Sequence, residues 1–256
     1  MTVRSKIAML VAEFLGTGIL ATAIINVARS QIGIGYFVAF SAAITYLLLT
    51  LVFSATSGAH FNPAVTIGMW TLRKIQTLQA LAYLAAQMLG GLAAWRLAEY
   101  FTGQKLASIA SKSFEWKVFV AEMLGTLVFT FGITAAIYQK FEGAKMAATA
   151  GASLFVGVVV ASLASNAALN PAVALANQTW GRADIFGPIV GAVVGMNLYA
   201  LLFAPSTRVA ASSSAATTTS VAPARRKTAA TAAKRKPAAK PRTTARRKTT
   251  TARRTR

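Results

Sequence analysis

The stretch that decides the fold is Ser57-Gly-Ala-His-Phe-Asn-Pro-Ala-Val65, which occurs a second time in related form. Its counterpart is Ser165-Asn-Ala-Ala-Leu-Asn-Pro-Ala-Val173, at an offset of 108 residues. A second pair of motifs, Ala12-Glu-Phe-Leu-Gly-Thr17 and Ala121-Glu-Met-Leu-Gly-Thr126, repeats at an offset of 109. Two separate motifs at nearly one offset indicate an internal duplication, with repeats of about residues 7–100 and 116–207.

The apolar stretches around these motifs predict membrane-spanning helices. The chain is 55% hydrophobic and 13% charged, whereas a soluble domain carries about 25% charged residues. A membrane helix needs about 20 apolar residues. Two uncharged stretches, Ser30 to Leu72 with 43 residues and Met146 to Gly181 with 36, exceed one span, and each contains one Asn-Pro-Ala motif. One span plus a half-span fits each of them. Four further stretches fit one span each: Ile7–Ala28, Ile75–Trp95, Val118–Gln139 and Ile185–Thr207.

Three spans per repeat is an odd number, so the second repeat enters the membrane with the opposite polarity. Such inverted repeats are typical of channels and transporters, with the site near the bilayer midplane between the halves. The predicted fold is therefore an all-α membrane protein, an inverted repeat of six transmembrane helices plus two half-helices. The predicted channel domain comprises residues 1–207, and residues 208–256 form a separate tail.

The Asn-Pro-Ala motifs predict two helix starts that face each other. Asn is a strong N-cap, and Pro is favoured at the first helical position. Each helix N-terminus carries roughly half a positive charge, so two that meet inside the membrane form a barrier to cations and protons. The Asn carboxamide oxygen can cap its own helix while the NH₂ group donates to a passing molecule. The predicted pore residues are Asn62, Pro63, Ala64, Asn170, Pro171 and Ala172.

The titratable residues argue against an enzyme. The chain contains no cysteine, one histidine and six acidic residues. Such a set lacks thiolate nucleophiles and offers few general acids, bases or metal ligands. We therefore expect a function without catalytic residues, metal or cofactor.

These motifs resemble those of the aquaporins, the major intrinsic proteins. Residues 57–68, Ser-Gly-Ala-His-Phe-Asn-Pro-Ala-Val-Thr-Ile-Gly, resemble the first pore loop of that family nearly letter for letter. Ala86-Gln-Met-Leu-Gly-Gly91 resembles the family's third helix, and Gly187-Pro-Ile-Val-Gly-Ala192 its sixth. The resemblance covers about residues 7–204. It implies one pore per monomer, a homotetramer in the cell membrane, and water or other small neutral solutes as cargo.

The resemblance also implies roles for three polar residues. The family's glutamates that match Glu13 and Glu122 accept hydrogen bonds from the pore-loop backbone. A charge inside a span is a functional candidate by default, so a proton relay is the alternative. We expect His60 to pack within its loop, and a ligand or catalytic role is the alternative.

The chain departs from the family at its selectivity filter. Most aquaporins have an arginine after the second Asn-Pro-Ala, which donates to the solute and repels cations at the narrowest point. Here that position is Val173. An ungapped match places Ala42, Val158 and Ala167 at the other filter positions. The four small aliphatic residues predict a wide filter that passes water and small polyols such as glycerol. Arg182, nine residues beyond Val173, is the arginine expected near the outer vestibule.

The tail leaves a second function open. Of the 27 Lys and Arg residues, 15 lie from Arg208 onward, where no acidic residue occurs. This Ala/Thr/Lys/Arg/Pro composition predicts disorder. Anionic lipid and nucleic acid both fit such a tail, and a solvated tail without a partner is the third interpretation. The alternative to a channel is thus a structural or tethering membrane protein with a vestigial pore. The basic residues also predict that both termini face the cytoplasm.

Overall fold

The computed structural model of the chain describes residues 2–30 and 35–204, and these form eight helices and no strand. Six helices are long and apolar enough to cross a membrane. The two short ones begin at Pro63 and Pro171. The predicted six spans and two half-helices are therefore confirmed, while the tail, 208–256, lies outside the described residues. The helices are α1 (Val3–Ala28), α2 (Gly35–Ser57), α3 (Pro63–Thr71), α4 (Thr77–Thr102), α5 (Trp116–Tyr138), α6 (Gly143–Ala161), α7 (Pro171–Ala176) and α8 (Arg182–Leu202).

The outer surface of the helices is apolar, as a lipid-facing surface must be. On α1, the side chains of Ile7, Val11 and Leu15 recur every four residues and are 57%, 47% and 42% exposed. Glu13 and Thr17 on the same helix are fully buried. The helix thus turns its apolar stripe outward and its polar residues inward, the reverse of a soluble helix.

The end of α4 differs from the sequence prediction. The span predicted to end at Trp95 continues for seven more residues, to Thr102. Arg96 and Glu99 lie in this extension and form an ion pair of 3.0 Å, three residues apart on the same helix face. A helix needs apolar residues only within the hydrocarbon core of the bilayer, so it can continue past the point where the apolar run stops.

The packing repeats the duplication of the sequence. In the first repeat α1 contacts α2 and α4, and in the second α5 contacts α6 and α8. The half-helices cross between repeats, because α3 packs on α8 and α7 packs on α4. Each half-helix is thus held against the last span of the other repeat, which brings the two Asn-Pro-Ala motifs together.

Glycines allow these helices to approach closely. A methyl group added at Gly91 of α4 would lie 2.4 Å from the carbonyl oxygen of Ala172 in α7. One added at Gly191 of α8 would lie 2.2 Å from the carbonyl oxygen of Met123 in α5. Both distances are shorter than a carbon–oxygen contact allows. Small residues at such contacts are the usual device of membrane helix packing.

Candidate pore at the paired half-helices

Each asparagine of the two motifs caps one half-helix and is tied to the other. The side-chain oxygen of Asn62 accepts a hydrogen bond from the amide of Ala64 at 2.8 Å, and that of Asn170 from the amide of Ala172 at 2.9 Å. The Asn62 Nδ2 donates to the carbonyl oxygen of Leu169 at 2.8 Å. Reciprocally, Asn170 Nδ2 donates to the carbonyl oxygen of Phe61 at 2.9 Å. The sequence reasoning missed this exchange, which uses one of the two N–H groups on each amide. The second N–H of each has no acceptor among the described residues, so it is free to meet a solute.

The backbone before each motif is strained in the same way. Ala59 and Phe61 have positive φ angles of 55° and 47°, and their counterparts Ala167 and Leu169 have 50° and 48°. A side chain in this left-handed region costs about 1–2 kcal/mol relative to the right-handed one. Four such residues in two short loops persist only because the surroundings hold them.

Glu13 holds the first loop. Its Oε1 accepts hydrogen bonds from Ser57 Oγ at 2.6 Å and from the His60 amide at 3.0 Å. Its Oε2 accepts from the Phe61 amide at 2.7 Å and from Gln87 Nε2 at 2.7 Å. All four partners are donors, so the carboxyl group acts only as an acceptor. Gln87 was not singled out from the sequence, although a polar residue within a span was a signal for it.

Glu122 holds the second loop in the same way. It is fully buried and accepts from the amides of Ala168 at 3.0 Å and Leu169 at 2.8 Å, with the Ser165 hydroxyl as a third partner.

His60 packs within the first loop. Its ring lies 3.1 Å from Thr66 Oγ1 through Nδ1 and packs edge-on against Tyr83. No group of three or more His, Asp or Glu residues within the described ranges forms a metal site.

Two cavities lie at opposite ends of α2 and α6. One, of about 330 Å³, is lined by Tyr46 of α2, Ala150 of α6, His60 and Lys74. The other, of about 260 Å³, is lined by residues that include Val38 of α2 and Ser162, the C-cap of α6. At a rise of about 1.5 Å per residue, the two linings are about 12 Å apart along α2 and about 18 Å apart along α6. Since the predicted topology places the Lys74 end inside, we call them the inner and outer cavity.

The four predicted filter residues are buried in the hydrophobic core, and each lies close in sequence to a residue that lines the outer cavity. They are Ala42, Val158, Ala167 and Val173. Three of them lie one helical turn from a residue that lines the outer cavity: Ala42 from Val38, Val158 from Ser162, and Val173 from Asn177. The fourth, Ala167, directly follows Asn166, which also lines this cavity. None of the four lines either cavity. They therefore lie toward the inner end of the outer cavity, where a filter would stand.

The arginine in the outer cavity is Arg29, and Arg182 is not among the lining residues. Arg182 is exposed at the first residue of α8. Arg29 follows α1, and its Nε donates to Asn177 Oδ1 at 3.2 Å. Partial burial lowers the pKa of Arg29, but a guanidinium with an ordinary pKa above about 12 stays charged. Arg182 does not line the outer cavity, because proximity to Val173 in sequence does not fix the direction of a side chain at a helix start.

Comparison with known proteins agrees with this architecture. The family model described as "Major intrinsic protein" matches residues 1–203. Aquaporin Z of Photorhabdus laumondii subsp. laumondii is 31% identical over 225 residues, covering 76% of this chain and 97% of that protein. Aquaporin NIP6-1 of Arabidopsis thaliana is 29% identical over 212 residues, covering 76% and 68%. The X-ray structure of the aquaglyceroporin from Plasmodium falciparum superposes with a TM-score of 0.67 at 20% identity, covering 78% of this chain and 98% of that one.

Proposed function

The chain belongs to the major intrinsic protein family, and from that premise we propose that it passes water and small neutral solutes, glycerol among them, while it excludes ions and protons. Members of this family are channels, not enzymes, and the chain is a multi-pass membrane channel. The observation that carries the proposal is the pair of cavities that approach the two asparagines from opposite ends. Each asparagine keeps one N–H without a protein acceptor within the described residues.

Two features support glycerol as well as water. Position 173 holds valine, and the other filter positions hold alanine or valine, so the ring carries short aliphatic side chains. The outer cavity, by contrast, offers polar groups. Asn177 lines it, and the side-chain Nδ2 of Asn177 has no acceptor in the part of the chain that the structure describes. A small polyol can exchange hydrogen bonds with water for bonds to such groups at the entrance before it meets the apolar ring.

Ion exclusion is supported by the paired half-helices. Their N-termini meet where Asn62 and Asn170 cross-bond, so the positive ends of α3 and α7 face one region. The remaining N–H groups orient the oxygen of a passing water and interrupt a chain of proton transfer. The homotetramer, the cell membrane and the cytoplasmic location of both termini stay predictions.

Osmotic shrinkage of proteoliposomes tests the proposal. With sucrose outside, we expect vesicles containing the protein to lose water faster than protein-free vesicles. With glycerol outside, they should shrink and then reswell faster than protein-free vesicles. Ala42→Phe should abolish both effects because Ala42 is fully buried beside the outer cavity. Ile44→Phe is the matched control, since Ile44 lies on the same helix and is 51% exposed toward lipid. Equal flux in the two variants would mean that the path does not run past α2.

A chain truncated after Pro205 separates the channel from the tethering alternative. Transport by the truncated chain should equal that of the full chain if the pore is the function. A full chain without water or glycerol flux, combined with tight binding of anionic lipid or DNA, would favour the tether.

A further inference from the structure

Arg29 is held rigidly in the wall of the outer cavity. Its Nη2 donates to the backbone carbonyl oxygen of Asn177 and to that of Ala107 at 3.2 Å, in addition to the bond from Nε to Asn177 Oδ1. These bonds join the end of α1 to the end of α7 and to the connection between α4 and α5, 148 and 78 residues away in sequence. The guanidinium is thus fixed in place by three partners on two other segments.

Arg29 lies close to position 173, where the filter has valine instead of the usual arginine. Asn177, its main partner, lies four residues after Val173, which is one helical turn or about 5.4 Å. Val38 and Ser162, on the same cavity wall, lie one turn beyond Ala42 and Val158. The arginine therefore stands at the entrance to the ring, about one turn outside it.

The charge of Arg29 is not neutralised by a neighbour. The one ion pair within the described residues joins Arg96 to Glu99, and no Asp or Glu is among the residues that line the outer cavity. The two N–H groups on Nη1 have no acceptor in the described part of the chain, so they remain free to donate. A guanidinium with free donors and no counter-charge, held beside an entrance, repels cations and attracts the oxygens of neutral solutes.

Taking the proposed channel function as given, we infer that Arg29 excludes cations at the outer entrance in place of the arginine that position 173 lacks. The usual filter arginine both narrows the pore and repels cations. Here the two tasks are separate, because the charge stands one turn outside a ring of short aliphatic side chains. The arrangement keeps the entrance positive while the ring itself carries only short aliphatic side chains.

A single-cysteine variant tests the effect of the charge at position 29, because one folded protein is labelled with reagents of different charge and then compared. The chain has no native cysteine, so Arg29→Cys provides one thiol. Samples of this protein, reconstituted in proteoliposomes, are treated with methanethiosulfonate reagents that carry a trimethylammonium, a sulfonate or a neutral methyl group. Permeabilities to guanidinium and to urea are then compared, since the two molecules match in size and shape and differ in charge. Arg182→Cys, exposed on the surface, is the matched control.

We expect the guanidinium-to-urea permeability ratio of Arg29→Cys to rise on the order of tenfold over wild type, the factor for a unit charge about 10 Å away at an effective dielectric constant of about 20. The cationic reagent should return the ratio to the wild-type value, and the anionic reagent should raise it further. At position 182 the three reagents should give equal ratios.

Equal ratios for the three reagents at position 29 would overturn the inference. If Arg29→Cys does not reconstitute, the same ratio is measured for Arg29→Lys and Arg29→Gln, where a higher ratio for Gln supports the inference and equal ratios overturn it. Failure of all three variants to reconstitute would assign Arg29 a purely structural role and overturn it as well. Water flux of the wild type reports separately on the channel function, so its loss is distinguishable from a failure of this inference.

Discussion

Replacing each buried glutamate by alanine should destabilise the protein unequally, although the two residues occupy equivalent positions in the repeats. Glu13 accepts four hydrogen bonds, from two backbone amides and from the side chains of Ser57 and Gln87. Glu122 accepts two from backbone amides, and the hydroxyl of Ser165, the counterpart of Ser57, is a third partner. Both residues are fully buried, so no difference in exposure offsets this difference.

The size of the effect follows from the number of bonds. A hydrogen bond to a carboxylate contributes about 1.5 kcal/mol at the lower end of its range. The lower end applies here because water can enter the space left by the glutamate and accept some of the hydrogen bonds. Glu13→Ala should therefore cost about 6 kcal/mol of unfolding free energy and Glu122→Ala about 4.5 kcal/mol. The difference of about 1.5 kcal/mol corresponds to roughly 3–6 °C in the midpoint of thermal unfolding for a chain of this size.

Thermal unfolding of the two variants in the same detergent, followed by circular dichroism, measures this difference. Glu13→Gln and Glu122→Gln are the controls. Each places one NH₂ group against one backbone amide whichever way it turns, so both should cost a similar 1–3 kcal/mol. Loss of stability in Glu122→Ala equal to or greater than that in Glu13→Ala would refute the counting of bonds. It would indicate that packing around the glutamates, and not their acceptors, holds the loops.

Four further outcomes are expected. Val173→Arg should reduce glycerol flux several-fold more than water flux in the shrinkage assay, and no change in either would show that Val173 does not line the constriction. Gly191→Ala should lower the thermal midpoint because its methyl group would meet the Met123 carbonyl oxygen at 2.2 Å, whereas Gly18→Ala, with 3.4 Å to its nearest atom, should have little effect. Protease added outside intact cells should leave the tail uncut, since six spans return the chain to the cytoplasmic side, and digestion there would contradict the topology. Binding of the tail to anionic vesicles or DNA should weaken steeply with added salt, and salt-insensitive binding would exclude an electrostatic mode.

The sequence alone predicted the elements and their symmetry, because these depend on local signals. Span number follows from the length of apolar stretches, since the bilayer sets a fixed thickness for each helix. The starts of α3 and α7 follow from Asn-Pro, because the capping side chain and the helix start are neighbours in the chain. The end of α4 was missed, because a count of apolar residues finds the membrane span and not the polar helical turns beyond it, which include Arg96 and Glu99.

Tertiary structure alone decided which distant groups meet at the pore. Asn62 bonds to Leu169 across 107 residues and Arg29 to Asn177 across 148, and no spacing in the sequence encodes either pair. Both result from the crossed packing of the half-helices on the opposite repeat, which is a property of how eight helices fit together. Val173 shows which part of this knowledge comes from the sequence and which part from the folded chain. The sequence shows that the filter lacks its arginine, and only the folded chain shows that another arginine stands one turn further out, because helix packing carries the end of α1 to the end of α7.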